Sequence, residues 1–186
     1  MKLMPSAFLL LTMSFLFRQS FSQTHTIDGN TDSLLCPTGY MAIGHPYLTF
    51  KLTNDNKTVD NENINGKVVF ISFWFEGCHP CMAEMEALNK LFEKLKDNKG
   101  FVFITVTWDN EETIKRVKEK YSLSFDIFVA TGKECQRLNY GCGYPTSIIL
   151  DKTGVVKYRH SGGSIEKEKA DEFVMTTLLN EIQSLL

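Results

Sequence analysis

The hydrophobic pattern of the chain changes period several times. Residues 68–74 (Val68, Val69, Phe70, Ile71, Ser72, Phe73, Trp74) form an almost unbroken apolar run, rich in β-branched and aromatic side chains. That is the pattern of a strand buried on both faces. Ahead of it, residues 47–52 alternate apolar and polar like a half-buried strand. Asn54-Asp55-Asn56-Lys57 then makes a hairpin turn from which Lys57-Thr58-Val59 returns, and Asn65-Gly66 is a second turn. From Pro80 the period lengthens: Met85, Leu88, Leu91, Phe92 and Leu95 recur at helical spacing until Asn98-Lys99-Gly100. Residues 101–108 read as a buried strand, and Asp109 with Glu112 as a capping box for a helix through about Tyr121. Residues 126–129 form a short strand and 131–138 a short helix. Residues 146–150 and 155–158 flank the turn Asp151-Lys152-Thr153-Gly154. A closing helix carries Phe173, Val174, Leu178, Ile182 and Leu185. The order β-β-(β-α-β-α)-β-α-β-β-α predicts an α/β domain with a mixed central sheet flanked by helices and an N-terminal hairpin.

The first residues read differently. Lys2 and the apolar stretch 7–17, followed by small residues Ser20 and Ser22 ahead of Gln23, have the form of an export signal over 1–22. The apolar stretch is shorter than the roughly 20 residues of a spanning helix; an uncleaved N-terminal anchor is the alternative. Residues 23–43 are polar, without a period, and read as a loose arm ahead of a domain at 44–186. Removing the signal leaves about 160 residues, enough for one ordinary domain. The formal net charge of −2 implies no nucleic-acid partner and no anionic membrane surface. All five cysteines follow the signal, so an exported chain is free to form disulfides, and the odd count leaves a thiol without an intramolecular partner.

The buried strand ends at Gly77 and runs directly into Cys78-His79-Pro80-Cys81 at the start of a helix. Unpaired N–H groups and the helix dipole at that position favour a thiolate at Cys78. Cys81, one turn later, is placed to resolve a mixed disulfide formed by Cys78. The same spacing is half of a zinc site, with Cys135 and Cys142 as nominal partners. Zinc pairs sit on tight knuckles, however, and this pair opens a long amphipathic helix whose early Pro80 loses no intrahelical bond. Redox chemistry is the expectation, and a copper- or zinc-binding chaperone is the reading from another class.

The strand, Cys78-His79-Pro80-Cys81, the downstream Glu84 and Gly143-Tyr144-Pro145-Thr146 together resemble the thioredoxin-like superfamily. The C-x-P-C-x-x-E form is most similar to its TlpA-type extracytoplasmic thiol–disulfide oxidoreductases. The resemblance covers residues 44–186. It implies a thioredoxin fold, no bound cofactor, and a cis Pro145 beside the dithiol that blocks metal access and turns the Tyr144 backbone toward an extended substrate. It implies that Glu84, three residues after Cys81, is a partly buried carboxyl of raised pKa that exchanges the Cys81 proton, replacing a buried aspartate whose place here is taken by Ser72. A solvated helix glutamate is the alternative. Trp74, His79 and Tyr144 are the candidates for the substrate side. The usual aromatic before the first cysteine is replaced by Gly77, which opens the surface near Cys78.

Other readings come from the residues themselves. His79, between the two sulfurs in sequence, either favours the Cys78 thiolate or is a plain exposed residue, while His25, His45 and His160 form no ligand spacing. Cys135 and Cys142 are candidates for a second disulfide, structural or redox-relaying, and Cys36 has no evident partner. The chain lacks the T-x-x-C of a peroxiredoxin, and its cysteine spacing is one residue short of a Sco-type copper chaperone. The expectation is a periplasmic or otherwise extracytoplasmic reductant of exported proteins such as apocytochromes, recharged by a membrane thiol–disulfide carrier. An envelope oxidase or isomerase is the close alternative.

Overall fold

A computed structural model describes residues 42–54 and 56–186. The expected export signal, Cys36, His25 and nearly all of the N-terminal arm lie outside the described residues. A two-stranded antiparallel hairpin, β1 (Lys51–Asn54) and β2 (Lys57–Asp60), precedes a five-stranded mixed sheet. The sheet comprises β3 (Val68–Phe73), β4 (Phe101–Thr107), β5 (Ile127–Val129), β6 (Thr146–Leu150) and β7 (Val156–Ser161), in the order β5-β4-β3-β6-β7. β3 runs parallel to β4 and antiparallel to β6, and β6 pairs antiparallel with β7.

β3 is central and every residue in it is buried. Its pleat divides the core. Val68, Phe70 and, past the strand end, Trp74 join the cluster under α1 (His79–Leu95) and the C-terminal helix, with Leu88, Leu91, Val174, Leu178 and Ile182. Val69, Ile71 and Phe73 face the opposite cluster, with Phe50, Leu52, Val59 and Leu138. The C-terminal helix comprises α4 (Lys167–Glu172), a π-helical stretch (Phe173–Leu178) and α5 (Leu179–Leu185). Its buried residues Val174, Leu178 and Ile182 repeat every four positions, more than the 3.6 of an α-helix, and the widened turns keep them on one face.

Two expectations are corrected. Residues 47–50 are extended but lie outside the hairpin: Tyr47 N–H donates to Gly154 O at 2.9 Å and its hydroxyl to Leu138 O at 2.9 Å, tying the segment to the body of the domain. The cap of α2 (Glu111–Tyr121) is Asn110, whose side chain accepts from Thr113 N–H at 2.9 Å, because Asp109 is engaged elsewhere. α3 (Gly132–Leu138) starts as expected, with Thr131 accepting from Glu134 N–H at 3.2 Å. Among the described residues no helix is long and apolar enough to cross a membrane. Leu91, fully buried between β3 and the C-terminal helix, tests this packing. Leu91→Ala should cost about 2–5 kcal/mol of stability, read as a lower urea midpoint at unchanged m-value.

Candidate active site

The site lies beyond the carboxyl end of β3, where the chain leaves for β4 on one side and meets β6 on the other. β6 is antiparallel to β3, so the start of β6 and the loop ahead of it lie beside the carboxyl end of β3. Cys78 occupies the N-cap position of α1 in extended conformation, its Sγ accepting from Cys81 N–H at 3.2 Å. Cys78 and Cys81 are joined in a disulfide, with Cα atoms 5.2 Å apart. Cys78 is 6% exposed and Cys81 1%, so the first sulfur is nearer the surface.

The loop from Phe75 to Gly77 is braced from α2. Asp109 Oδ2 accepts from Glu76 N–H at 2.7 Å, and the Glu76 carboxylate takes both arms of Arg116 at 2.8 and 2.6 Å. Hydrogen bonding to Arg116 holds the Glu76 carboxyl below its ordinary range. Facing the dithiol loop, the Tyr144–Pro145 peptide bond is cis, as the resemblance implies. Asn139 Nδ2 donates to Gly143 O at 3.0 Å, Thr146 Oγ1 to the same carbonyl at 2.8 Å, and Gly162 N–H to Pro145 O at 2.8 Å. Among the described residues, none hydrogen-bonds the backbone N–H or C=O of Tyr144.

Glu84 is 1% exposed, and neither carboxyl oxygen has a hydrogen-bond partner among the described residues. Desolvation therefore raises its pKa to about 8, because burial penalises the charged form. The solvated-glutamate alternative does not hold. Ser72, in the place of the missing aspartate, is buried, and its hydroxyl has no hydrogen-bond partner among the described residues.

Several expected site residues stand elsewhere. Trp74 is fully buried in the cluster that contains Cys78, Cys81 and Met85. Strand alternation turns it under α1, so it backs the dithiol and presents no surface to solvent. The accessible aromatic surface is formed by Phe75, Trp108 and Tyr144. Phe75 stacks on Trp108 at 4.6 Å, and Tyr144 meets both edge-on, at 5.3 and 4.6 Å. Gly77 is exposed, and a Cβ there would stand 3.1 Å from the Phe75 ring. Trp108, 36% exposed at the end of β4, was missed by the sequence reading. Its signal was its place at the carboxyl end of the strand beside the one that carries Cys78. His79 is exposed at the first position of α1. His45 is exposed, and His160 packs on Phe173 at 4.5 Å.

The Cys135–Cys142 disulfide is not formed. Cys135 carries a free thiol, fully buried on the inward face of α3 with Leu138, and burial pushes its pKa up to about 11. Tyr140 (φ 60°) and Gly141 (φ 72°) turn the chain away from that face before Cys142, which is disulfide-bonded, but not to Cys135. Among the described residues no group of three or more His, Cys, Asp or Glu gathers as metal ligands, so Cys135 and Cys142 do not complete a quartet with the dithiol.

A dithiol at a helix N-terminus, with a cis proline and a buried carboxyl beside it, is equipped for thiol–disulfide exchange. Known proteins agree with that chemistry. The Redoxin family matches residues 42–174. Thiol-disulfide oxidoreductase ResA of Bacillus thuringiensis subsp. konkukian is 31% identical over 136 residues, covering 72% of this chain and 78% of that one. Among solved structures, the thioredoxin domain of a thiol-disulfide oxidoreductase from Bacteroides vulgatus superposes with a TM-score of 0.56 at 25% identity, over 72% of this chain and 98% of that one. A provisionally assigned protein disulfide isomerase from Bacteroides thetaiotaomicron gives a TM-score of 0.64 at 22% identity, over 77% and 89% of the two chains, and so shares the fold. The chain thus belongs to the Redoxin family, as a thiol–disulfide oxidoreductase of thioredoxin fold that acts on cysteine-containing substrates.

Proposed function

We propose that the protein is an exported reductant of disulfides, with Cys78 as attacking thiol, Cys81 as resolving thiol and Glu84 as the group that takes and returns the Cys81 proton. The observation that carries this reading is the asymmetry of the pair: the more exposed sulfur caps the helix, and the more buried one precedes a desolvated carboxyl by one turn. In the reduced enzyme the Cys78 thiolate attacks one sulfur of a substrate disulfide, and the other substrate sulfur leaves as thiolate. Cys81 then passes its proton to Glu84 and attacks Cys78 Sγ. The second substrate sulfur leaves, and the Cys78–Cys81 disulfide remains. Two electrons have moved from the dithiol to the substrate.

The Tyr144 backbone, unpaired among the described residues, supports docking of the substrate as an extended strand, because its peptide groups are left for a strand to bond. The Phe75–Trp108–Tyr144 platform supports apolar contact beside it. Export rests on the signal read in residues 1–22, with the arm at 23–43 and the catalytic domain at 44–186. In this proposal the substrates are extracytoplasmic proteins, apocytochromes among them, and a membrane thiol–disulfide carrier restores the dithiol. An oxidase role reverses the direction of exchange, and an isomerase role leaves no net transfer of electrons.

Trapping tests the two cysteines. Cys81→Ser should accumulate mixed disulfides on Cys78, since attack proceeds without release, while Cys78→Ser should trap none; equal trapping by both would refute the roles.

The carboxyl has a pH signature. With its pKa near 8, Glu84 keeps its proton at neutral pH and gains power as a base as pH climbs through that value. The release step should therefore rise with pH through about 8, and Glu84→Gln should remove that limb. The folded value also lies above the unfolded one of about 4.3, so the stability of the neutral buried carboxyl is complete below that pH and is lost as pH rises through about 8. Urea denaturation should show Glu84→Gln gaining on the parent by roughly a few kcal/mol between pH 5 and 9.

Direction is set by potential. The helix terminus favours the Cys78 thiolate and pulls toward oxidants, whereas the burial of Cys81, 1% exposed, disfavours a thiolate there and pulls toward reductants. Burial makes the second effect the stronger. Equilibration with glutathione should give a couple below roughly −200 mV at pH 7, and a value above roughly −150 mV would make the protein an oxidant.

A further inference from the structure

Gly163 follows β7 and the turn residue Gly162 (φ +87°), whose N–H is bonded to the carbonyl of the cis proline. Gly163 is solvent-exposed, and its own φ lies outside the left-handed region, so backbone conformation does not call for glycine there. Space does. A Cβ at this position would stand 2.7 Å from Glu84 Oε1, 3.1 Å from Pro145 Cγ and 3.4 Å from Pro80 Cβ. The start of α1, the cis-proline loop and the end of β7 therefore converge on one surface glycine, directly over a carboxyl that is itself 1% exposed and without a hydrogen-bond partner among the described residues.

We infer that Gly163 is a positioning residue for the proton step: its missing side chain is the space that lets the Glu84 carboxyl stand where it serves Cys81. The inference rests on the proton-handling role proposed for Glu84. Of the three groups that a methyl at 163 would press on, two are proline rings with little freedom, and one is the end of a flexible side chain. The carboxyl is the group that yields. A methyl group thus moves Glu84 away from its working position while costing the fold little, so the consequence falls on chemistry before it falls on stability.

The test is the pH profile of the Cys81-dependent release step, measured from pH 5 to 10 on the parent, Gly163→Ala, Glu84→Gln and the double variant. Gly163→Ala should slow release at pH 8 by about tenfold, part of the 10²–10⁴ that a placed acid–base group supplies, and should flatten the limb near pH 8. In the Glu84→Gln background the same alanine should add nothing. If Gly163→Ala matches the parent while Glu84→Gln loses the limb, the inference is overturned and the role of Glu84 stands. Equal slowing in both backgrounds would also overturn it, since Gly163 would then act on the dithiol by packing alone. A Glu84→Gln variant that keeps the limb would remove the reading beneath it and the inference together. If Gly163→Ala lowers the melting temperature of the parent, it should not lower that of Glu84→Ala, which lacks the crowded oxygen; an equal drop in both backgrounds sinks the assignment.

Discussion

The structure depends on one strand being buried on both faces. β3 lies between a parallel and an antiparallel neighbour, with a cluster of side chains above it and another below. Such a strand has no freedom to slip, because a shift of one residue would exchange the contents of the two clusters. Its carboxyl end is therefore a fixed point. The disulfide, the helix terminus and the cis-proline loop are all placed relative to it, two by leaving β3 and one by entering β6.

Against that rigid frame, the buried polar groups with no hydrogen-bond partner among the described residues include the Ser72 hydroxyl, the Trp74 indole N–H and the Glu84 carboxyl, all close to the dithiol in sequence or on the adjoining strand. Burial of an unpaired carboxyl opposes folding at any pH where it ionises. Such a group persists where the surrounding packing is strong enough to hold it, and the apolar face of α1 provides that packing through Met85, Leu88, Leu91 and Leu95. The same burial that opposes stability moves the carboxyl into the range where it can exchange a proton with a thiol.

The differences between pattern and structure share a cause. Asp109 has the spacing of a helix cap, yet it braces the active-site loop through Glu76 N–H, and Asn110 takes over the cap. Spacing shows that an oxygen could reach an amide, but the nearest competing donor belongs to a loop 33 residues away. Trp74 was placed on the substrate side, whereas the pleat carries it under α1. Cys135 and Cys142 lie close in sequence, yet helical phase and two left-handed residues send them in different directions.

The sequence by itself determined the order of elements, the burial of β3 on both faces, the dithiol at the start of α1 and the turn at Asp151–Gly154. Each follows from local period, local turn chemistry or the capping of one helix, and neighbouring residues settle such features between themselves. Identification of Glu84 and Pro145 needed a family resemblance as well. Tertiary structure alone decided which aromatic rings face solvent beside Cys78, what braces the Glu76 loop, that Cys135 stays a thiol, and that an exposed glycine lies over a buried carboxyl. These are contacts between segments remote in sequence. A one-dimensional pattern encodes how much of a side chain is buried, but not which distant atom it is buried against.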